Sequence, residues 1–169
     1  MKAIILYCFL NIIYLVTSTA FSQPQPCVFC EITSGKIQQS RVVFKDSTVA
    51  VFLSHAPDNP GHLLVVPLQH AQSYPDIPGS TVNNMMCIAK LSMEAIKRTD
   101  IKADGFQLLL NSGKAAGQHV MHAHLHVIPR YVGETLNTTQ QRAPDTLLDL
   151  VAQKIRLGFM RQGTYNNAE

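Results

Sequence analysis

The chain has 169 residues, with 14 Lys+Arg against 11 Asp+Glu and a formal net charge of +3. That length suits one domain, and 46% apolar content is ordinary for a globular chain, which excludes a disordered protein and a polytopic membrane protein. The charge is too small and too scattered to argue for a nucleic-acid partner.

Residues 1–22, MKAIILYCFLNIIYLVTSTAFS, place Lys2 before an uncharged run from Ala3 to Ala20 that ends in small residues. This is the order of a secretory signal peptide, with cleavage expected after Ser22 or, less favoured, after Ala20. An uncleaved anchor helix is the alternative, and Asn11 and the Thr/Ser-rich end weaken it. Export to a periplasm or to the medium is therefore expected. Removing 22 of the 169 residues leaves 147, and losing Lys2 takes the charge to +2. Three cysteines remain, Cys27, Cys30 and Cys87, an odd number that is not a disulfide framework.

Residues 23–26 read as an extended lead-in. Cys27 to Ile32 reads as a short helix or turn, ended near Gly35. Residues 41–53 hold two alternating, β-branched runs around Asp46-Ser47 and predict a hairpin. Ser54 to His62 is rich in turn formers and predicts a loop, and Leu63 to Pro67 a short strand closed by proline. Residues 80–98 predict a helix with Ser80 as N-cap. Its core face would carry Val82, Met85, Met86, Ala89, Met93 and Ile96. Cys87, on the same helix, is expected to be a buried small apolar residue. Residues 105–110 predict a strand, 111–118 a glycine-containing loop, and 120–128 a second strand stopped by Pro129. A polar loop from Gly133 to Ala143 leads to a helix from Asp145 to Leu157, with Leu147, Leu148, Val151 and Ile155 on one face. About five strands and two main helices, not in βαβ alternation, predict an α+β fold with an antiparallel sheet, one domain over 23–169.

Four of the 7 histidines fall between residues 119 and 126. On a strand, His122, His124 and His126 would share one face, about 6.6 Å apart from one to the next, while Ala123, Leu125 and Val127 face a core. Three uncompensated imidazoles are an expensive core, so that face points to function. Gly113 and Gly117 allow the preceding loop to approach a ligand closely, and its amides can form an anion nest. Asn111, Gln118 and His119 add side-chain donors. Cys27-x-x-Cys30 has metal-ligand spacing but supplies half a tetrahedron, and by itself fits a redox pair or a disulfide equally well.

Residues 111–131, NSGKAAGQHVMHAHLHVIPRY, resemble the signature of the histidine triad (HIT) superfamily. Residues 27–32, CVFCEI, resemble that family's N-terminal motif, and residues 60–70, PGHLLVVPLQH, its central strand. The match is nearest the Hint-like and bacterial branch. The resemblance implies a HIT-like fold, a homodimer with a continuous sheet, and a nucleotidyl hydrolase or transferase acting on purine nucleotide derivatives. His124 would attack the α-phosphorus of a nucleoside phosphoramidate, ester or anhydride and form a nucleotidyl-histidine, which water then hydrolyses. His126 and the amides from Gly117 to His119 would hold the phosphate oxygens, with His62 in support, and the chemistry would need no metal. The same branch implies a structural zinc on Cys27, Cys30, His70 and His122. Val28, Phe29, Ile32, Phe52 and His55 would line the base pocket. Ser54 stands where the family usually carries an acidic residue or Asn for the ribose hydroxyls. His119 stands where many members have Ser, Thr or another small residue, either to bind phosphate or to face solvent.

Two other functions compete with hydrolysis. One is a nucleotide-binding or interaction module with little turnover, motivated by Ser54 and His55. The other is a zinc hydrolase that places the triad directly on a metal.

Overall fold

The computed structural model describes residues 26–134 and 141–161. The apolar segment 1–22, with its expected cleavage site, lies outside the described residues, as does the middle of the 133–143 loop.

A short helix, α1 (Val28–Thr33), opens the fold and ends at Ser34, with Gly35 at positive φ. Strands β1 (Val42–Lys45) and β2 (Val49–Leu53) form the expected hairpin. Asp46 makes its turn: the carboxylate accepts the N–H groups of Thr48 at 2.7 Å and Val49 at 2.8 Å. Then come β3 (Leu63–Pro67), helix α2 (Gly79–Lys97), β4 (Gly105–Leu109), β5 (Leu125–Arg130) and helix α3 (Asp145–Met160). The five strands form one antiparallel sheet in the order β1-β2-β3-β5-β4. The fold is α+β, and none of the described helices is long and apolar enough to cross a membrane.

Strand alternation divides the interior in two. Val49, Val51, Leu53, Leu63, Val65, Leu125 and Val127 face α2 and α3 and form the larger core. Phe52, Leu64 and Val66 face the other way, under Phe29 and Ile32 of α1. The helices approach so closely that a Cβ on Gly158 of α3 would overlap the Ala95 carbonyl of α2. The second face of the sheet is left to α1 and to the histidines.

Several expectations need correction. Helix α2 starts one residue before Ser80, with Pro78 at the cap position and the Pro78 carbonyl accepting the Val82 N–H. Its buried side is Met85, Ile88, Ala89, Ser92, Ala95 and Ile96, so Met86 is exposed. Cys87 is exposed too, outside the buried side of α2. On α3 Leu147 lies at the margin of the buried face and is exposed, while Leu148, Val151, Ile155 and Phe159 are buried. Pro129 does not stop β5 but lies within it. The last β3–β5 pair is Leu63 with Val127, so the missing proline N–H costs no rung on that side.

The larger correction concerns residues 120–124, which are not strand. The His122 N–H donates to the Val120 carbonyl at 2.8 Å, a tight turn, and the Ala123 N–H donates to the Ala71 carbonyl at 2.7 Å. The chain joins the sheet only at Leu125, so His122 leaves the alternation that His124 and His126 keep.

Candidate active site and metal cluster

The cleft opens on the second face of the sheet. His62, His124 and His126 line it, with Phe29, Ser54, His55, Asn111, Gly117 and His119 around them. The cavity volume is about 180 Å³. The His124 and His126 ring centres are 4.8 Å apart, and Phe29 meets His124 edge-on at 5.1 Å.

Backbone groups set the protonation of each ring. The His124 Nδ1–H donates to the His122 carbonyl at 2.7 Å. A neutral imidazole has one proton, so the His124 Nε2 carries a bare lone pair. The Asp58 N–H donates to His62 Nδ1 at 3.1 Å, which places the His62 proton on Nε2. That Nε2–H donates to His126 Nδ1 at 2.8 Å, so the His126 proton is on Nε2. The cleft therefore holds a nucleophilic nitrogen on His124 and a hydrogen-bond donor on His126, each set by a chain of hydrogen bonds ending on the main chain.

Burial keeps these rings neutral. It pushes His126 down to about 4, with the His124 charge adding to it. It pushes His62 down to about 3, helped by the charges of His126, Arg130 and His124. His124 and His122 are also lowered, burial again being the largest cause. The unfolded chain binds protons at these sites near pH 6.5, where the folded chain does not. Stability should therefore fall on acidification from about pH 6.5 towards 4, by up to about 1.4 kcal/mol per pH unit for each of His62 and His126. Urea midpoints at pH 7, 6, 5 and 4.5 measure that slope, which should shrink in His126→Asn. A flat profile would show that the folded chain admits the protons freely.

Not every expected ligand residue reaches the cleft. Ile32 and Phe52 are buried in the smaller core, and Val28 is exposed and does not line the cleft. Gln118 is buried and fully engaged. Its Oε1 accepts the Gly113 N–H, and its Nε2 donates to the carbonyls of Gln72 and Val120. It staples the loop and leaves no donor for a ligand. The loop amides are mostly spent as well, since Gly117 donates to Lys114 and Gln118 to Gly113. Of the three expected nest amides, the His119 N–H is the one with no partner among the described residues. Asn111 donates to the Gly117 carbonyl at 3.3 Å. Ser54 is buried at the rim, and its N–H donates to the His62 carbonyl. Asp58 and the His122 carbonyl were not foreseen. Both act through the backbone, which residue type does not reveal. Arg130 holds the Asp58 loop through an ion pair at 3.3 Å.

A second cluster lies beside the cleft. Cys27, Cys30, His70 and His122 bring one ligand atom each to within 4.8 Å of one another. Cys27 Sγ is 3.3 Å and Cys30 Sγ 3.5 Å from His122 Nδ1, and Cys30 Sγ is 3.4 Å from His70 Nδ1. The S···N edge of a tetrahedral zinc site is about 3.6 Å, from bonds of roughly 2.3 and 2.05 Å. The His122 Nε2–H donates to the Pro67 carbonyl at 2.9 Å, which leaves Nδ1 bare towards the cysteines. Burial, then the hydrogen bond with Cys27, push the Cys30 thiol up to about 11. A cation among these atoms would reverse that preference and draw out the thiolate. His124 and His126 are not part of this cluster.

Comparison with known proteins places these features. An uncharacterized HIT-like protein of Methanocaldococcus jannaschii is 39% identical over 108 residues, 64% of this chain and 81% of that one. An adenosine 5′-monophosphoramidase of Saccharomyces cerevisiae is 34% identical over 119 residues, 68% of this chain and 72% of that one. The crystal structure of a zinc-bound histidine triad family protein from Mycobacterium smegmatis matches with a TM-score of 0.74 at 33% identity, covering 82% of this chain and 96% of that one. Residues 36–133 match the family model of the HIT domain, and the chain belongs to that family.

Proposed function

We propose that this protein is an exported nucleotide hydrolase that cleaves at the α-phosphorus of nucleoside phosphoramidates or related esters and anhydrides. The observation that carries the reading is the bare Nε2 of His124 beside the Nε2–H of His126 in one cleft. His124 Nε2 bonds to phosphorus as the leaving group departs, and water then breaks the P–N bond and releases the nucleotide. His126 Nε2–H and the His119 amide donate to the phosphate oxygens as their charge redistributes. Ser54 offers one hydroxyl to the sugar, and Phe29 an apolar edge to the base. The name of the yeast relative agrees with phosphoramidate cleavage. The test is turnover of adenosine 5′-phosphoramidate by the purified chain from Cys27 onward, with an acid quench to trap adenylyl-His124. Nucleotide binding without turnover or adduct would favour a binding module instead.

The Cys27, Cys30, His70 and His122 cluster would hold a structural zinc. Its ligand distances, the bare Nδ1 of His122 and the zinc-bound relative support this. The ion would tie α1 to the turn before the nucleophile, and no chemical step passes through it. A homodimer would form along β4, an edge strand with Leu108 and Leu109 exposed. A sedimentation mass of one copy at micromolar concentration would sink that part. Export rests on residues 1–22, and a cell fractionation that finds the full-length chain in the cytoplasm would contradict it.

A further inference from the structure

The titratable side chains of the cleft are His55, Asp58, His62, His119, His124 and His126. The proposed hydrolysis needs a proton as well as a nucleophile, because an amine or alkoxide leaves phosphorus poorly as an anion. His124 cannot supply it. Its Nδ1–H is held by the His122 carbonyl, and its Nε2 becomes bonded to phosphorus. His126 cannot either. Burial keeps it neutral, and its one proton already serves the phosphate oxygens. Nor can that proton be replaced along the chain, since His62 is backed by the Asp58 main-chain N–H, which has no proton to pass on. The Asp58 carboxylate is tied to Arg130. Two exposed imidazoles remain, His55 and His119. His119 lines the cleft with His124, in the loop that runs into the turn whose His122 carbonyl holds the His124 ring. His55 lies on the loop after β2, where its carbonyl accepts the Ala143 N–H.

We propose that His119 is the proton donor to the leaving group, and then the base for water, in the reaction proposed above, a role that rests on the nucleotidyl-His124 reading. Its ring is exposed to solvent and lines the cleft, and an imidazole can both give and take a proton. In the first step His124 Nε2 donates its electron pair to phosphorus and the bond from phosphorus to the leaving nitrogen or oxygen breaks. That atom keeps the pair and takes the proton of charged His119, which becomes neutral. In the second step water attacks phosphorus and gives its proton to neutral His119. The P–N bond breaks and its electron pair returns to His124. Both residues are restored, and one water is consumed.

The experiment compares adenosine 5′-phosphoramidate with the p-nitrophenyl ester of AMP, whose leaving group needs no proton. In His119→Ala, kcat/KM for the phosphoramidate should fall about 10²-fold, and that for the ester should stay within about threefold. The ester should also give a burst of nitrophenolate before a slower steady state, because water has lost its base. Equal losses on both substrates, or no loss on either, would overturn the proposal. So would the leaving-group-selective loss appearing in His55→Ala instead. His119 is exposed, so the variant should melt with the wild type, and a large drop in Tm would assign a structural role and overturn the proposal. His124→Ala, run beside it, should be inactive on both substrates. An active His124→Ala would refute the nucleophile reading itself, whereas an inactive one with a flat His119→Ala result would refute the role of His119 alone.

Discussion

His124→Ala should lower kcat for adenosine 5′-phosphoramidate by about 10⁴-fold or more, with KM within a few-fold of wild type. The expectation follows from what the ring does and does not touch. Its Nδ1 side is spent on the His122 carbonyl, and its Nε2 side faces the cleft. Truncation removes the atom that would bond to phosphorus and leaves the sugar and base contacts in place. The effect therefore belongs in kcat. His126→Ala removes one donor to the developing charge and should cost about 10²–10³-fold. His62→Ala should cost less, because it acts only by holding the His126 proton on Nε2. The order of loss, His124 above His126 above His62, checks the tautomer chain as well as the nucleophile. Activity within tenfold of wild type in His124→Ala would sink the reading, and so would an adduct mapping to another histidine.

The parts of this site legible in the sequence are those carried by residue type and period. Alternating runs marked β1 and β2, an apolar run closed by proline marked β3, and Asp46 at the turn of the hairpin announced its own hydrogen bonds. The histidine spacing marked the segment that leads into β5, with His124 just before the strand and His126 on it. Alternation failed at His122, because one main-chain hydrogen bond to Val120 turns the chain out of the sheet, and nothing in the side chains announces it. That turn separates the site into two centres. It sends His122 to the cysteines and presents its carbonyl to His124. The same limit explains Gln118, whose amide suits a ligand or a loop staple equally, with only the fold deciding. Met86 and Leu147 differ for another reason. Helical periodicity gives the direction of a face but not its width, and each lies at the margin of the buried side.

Stripping the metal from the purified protein should lower Tm by roughly 12–16 °C. Binding stabilises by RT ln(1 + [L]/Kd), about 4 kcal/mol at a thousandfold excess over Kd. A domain of this length loses roughly 3–4 °C per kcal/mol. The loss should be partial, not complete as in a zinc finger, because the larger core packs without the cluster. What should loosen is the attachment of α1, where Phe29 packs edge-on against both His122 and His124. Turnover should then fall with the metal although no ligand touches the substrate. Cys30→Ser should reproduce both effects, while Cys87→Ser, on the exposed side of α2, should keep the metal content and the Tm of the wild type. The alternative fate of Cys27 and Cys30 in an oxidising compartment is a disulfide, and thiol titration beside a metal assay separates the two. One zinc per chain with two unreactive thiols that become titratable on chelation is the expected result. No bound metal, no titratable thiol at this pair and a Tm indifferent to chelator would replace the zinc with a disulfide. The turn that presents the His122 carbonyl to His124 would then be held by the contacts with Val120, Pro67 and Ala71.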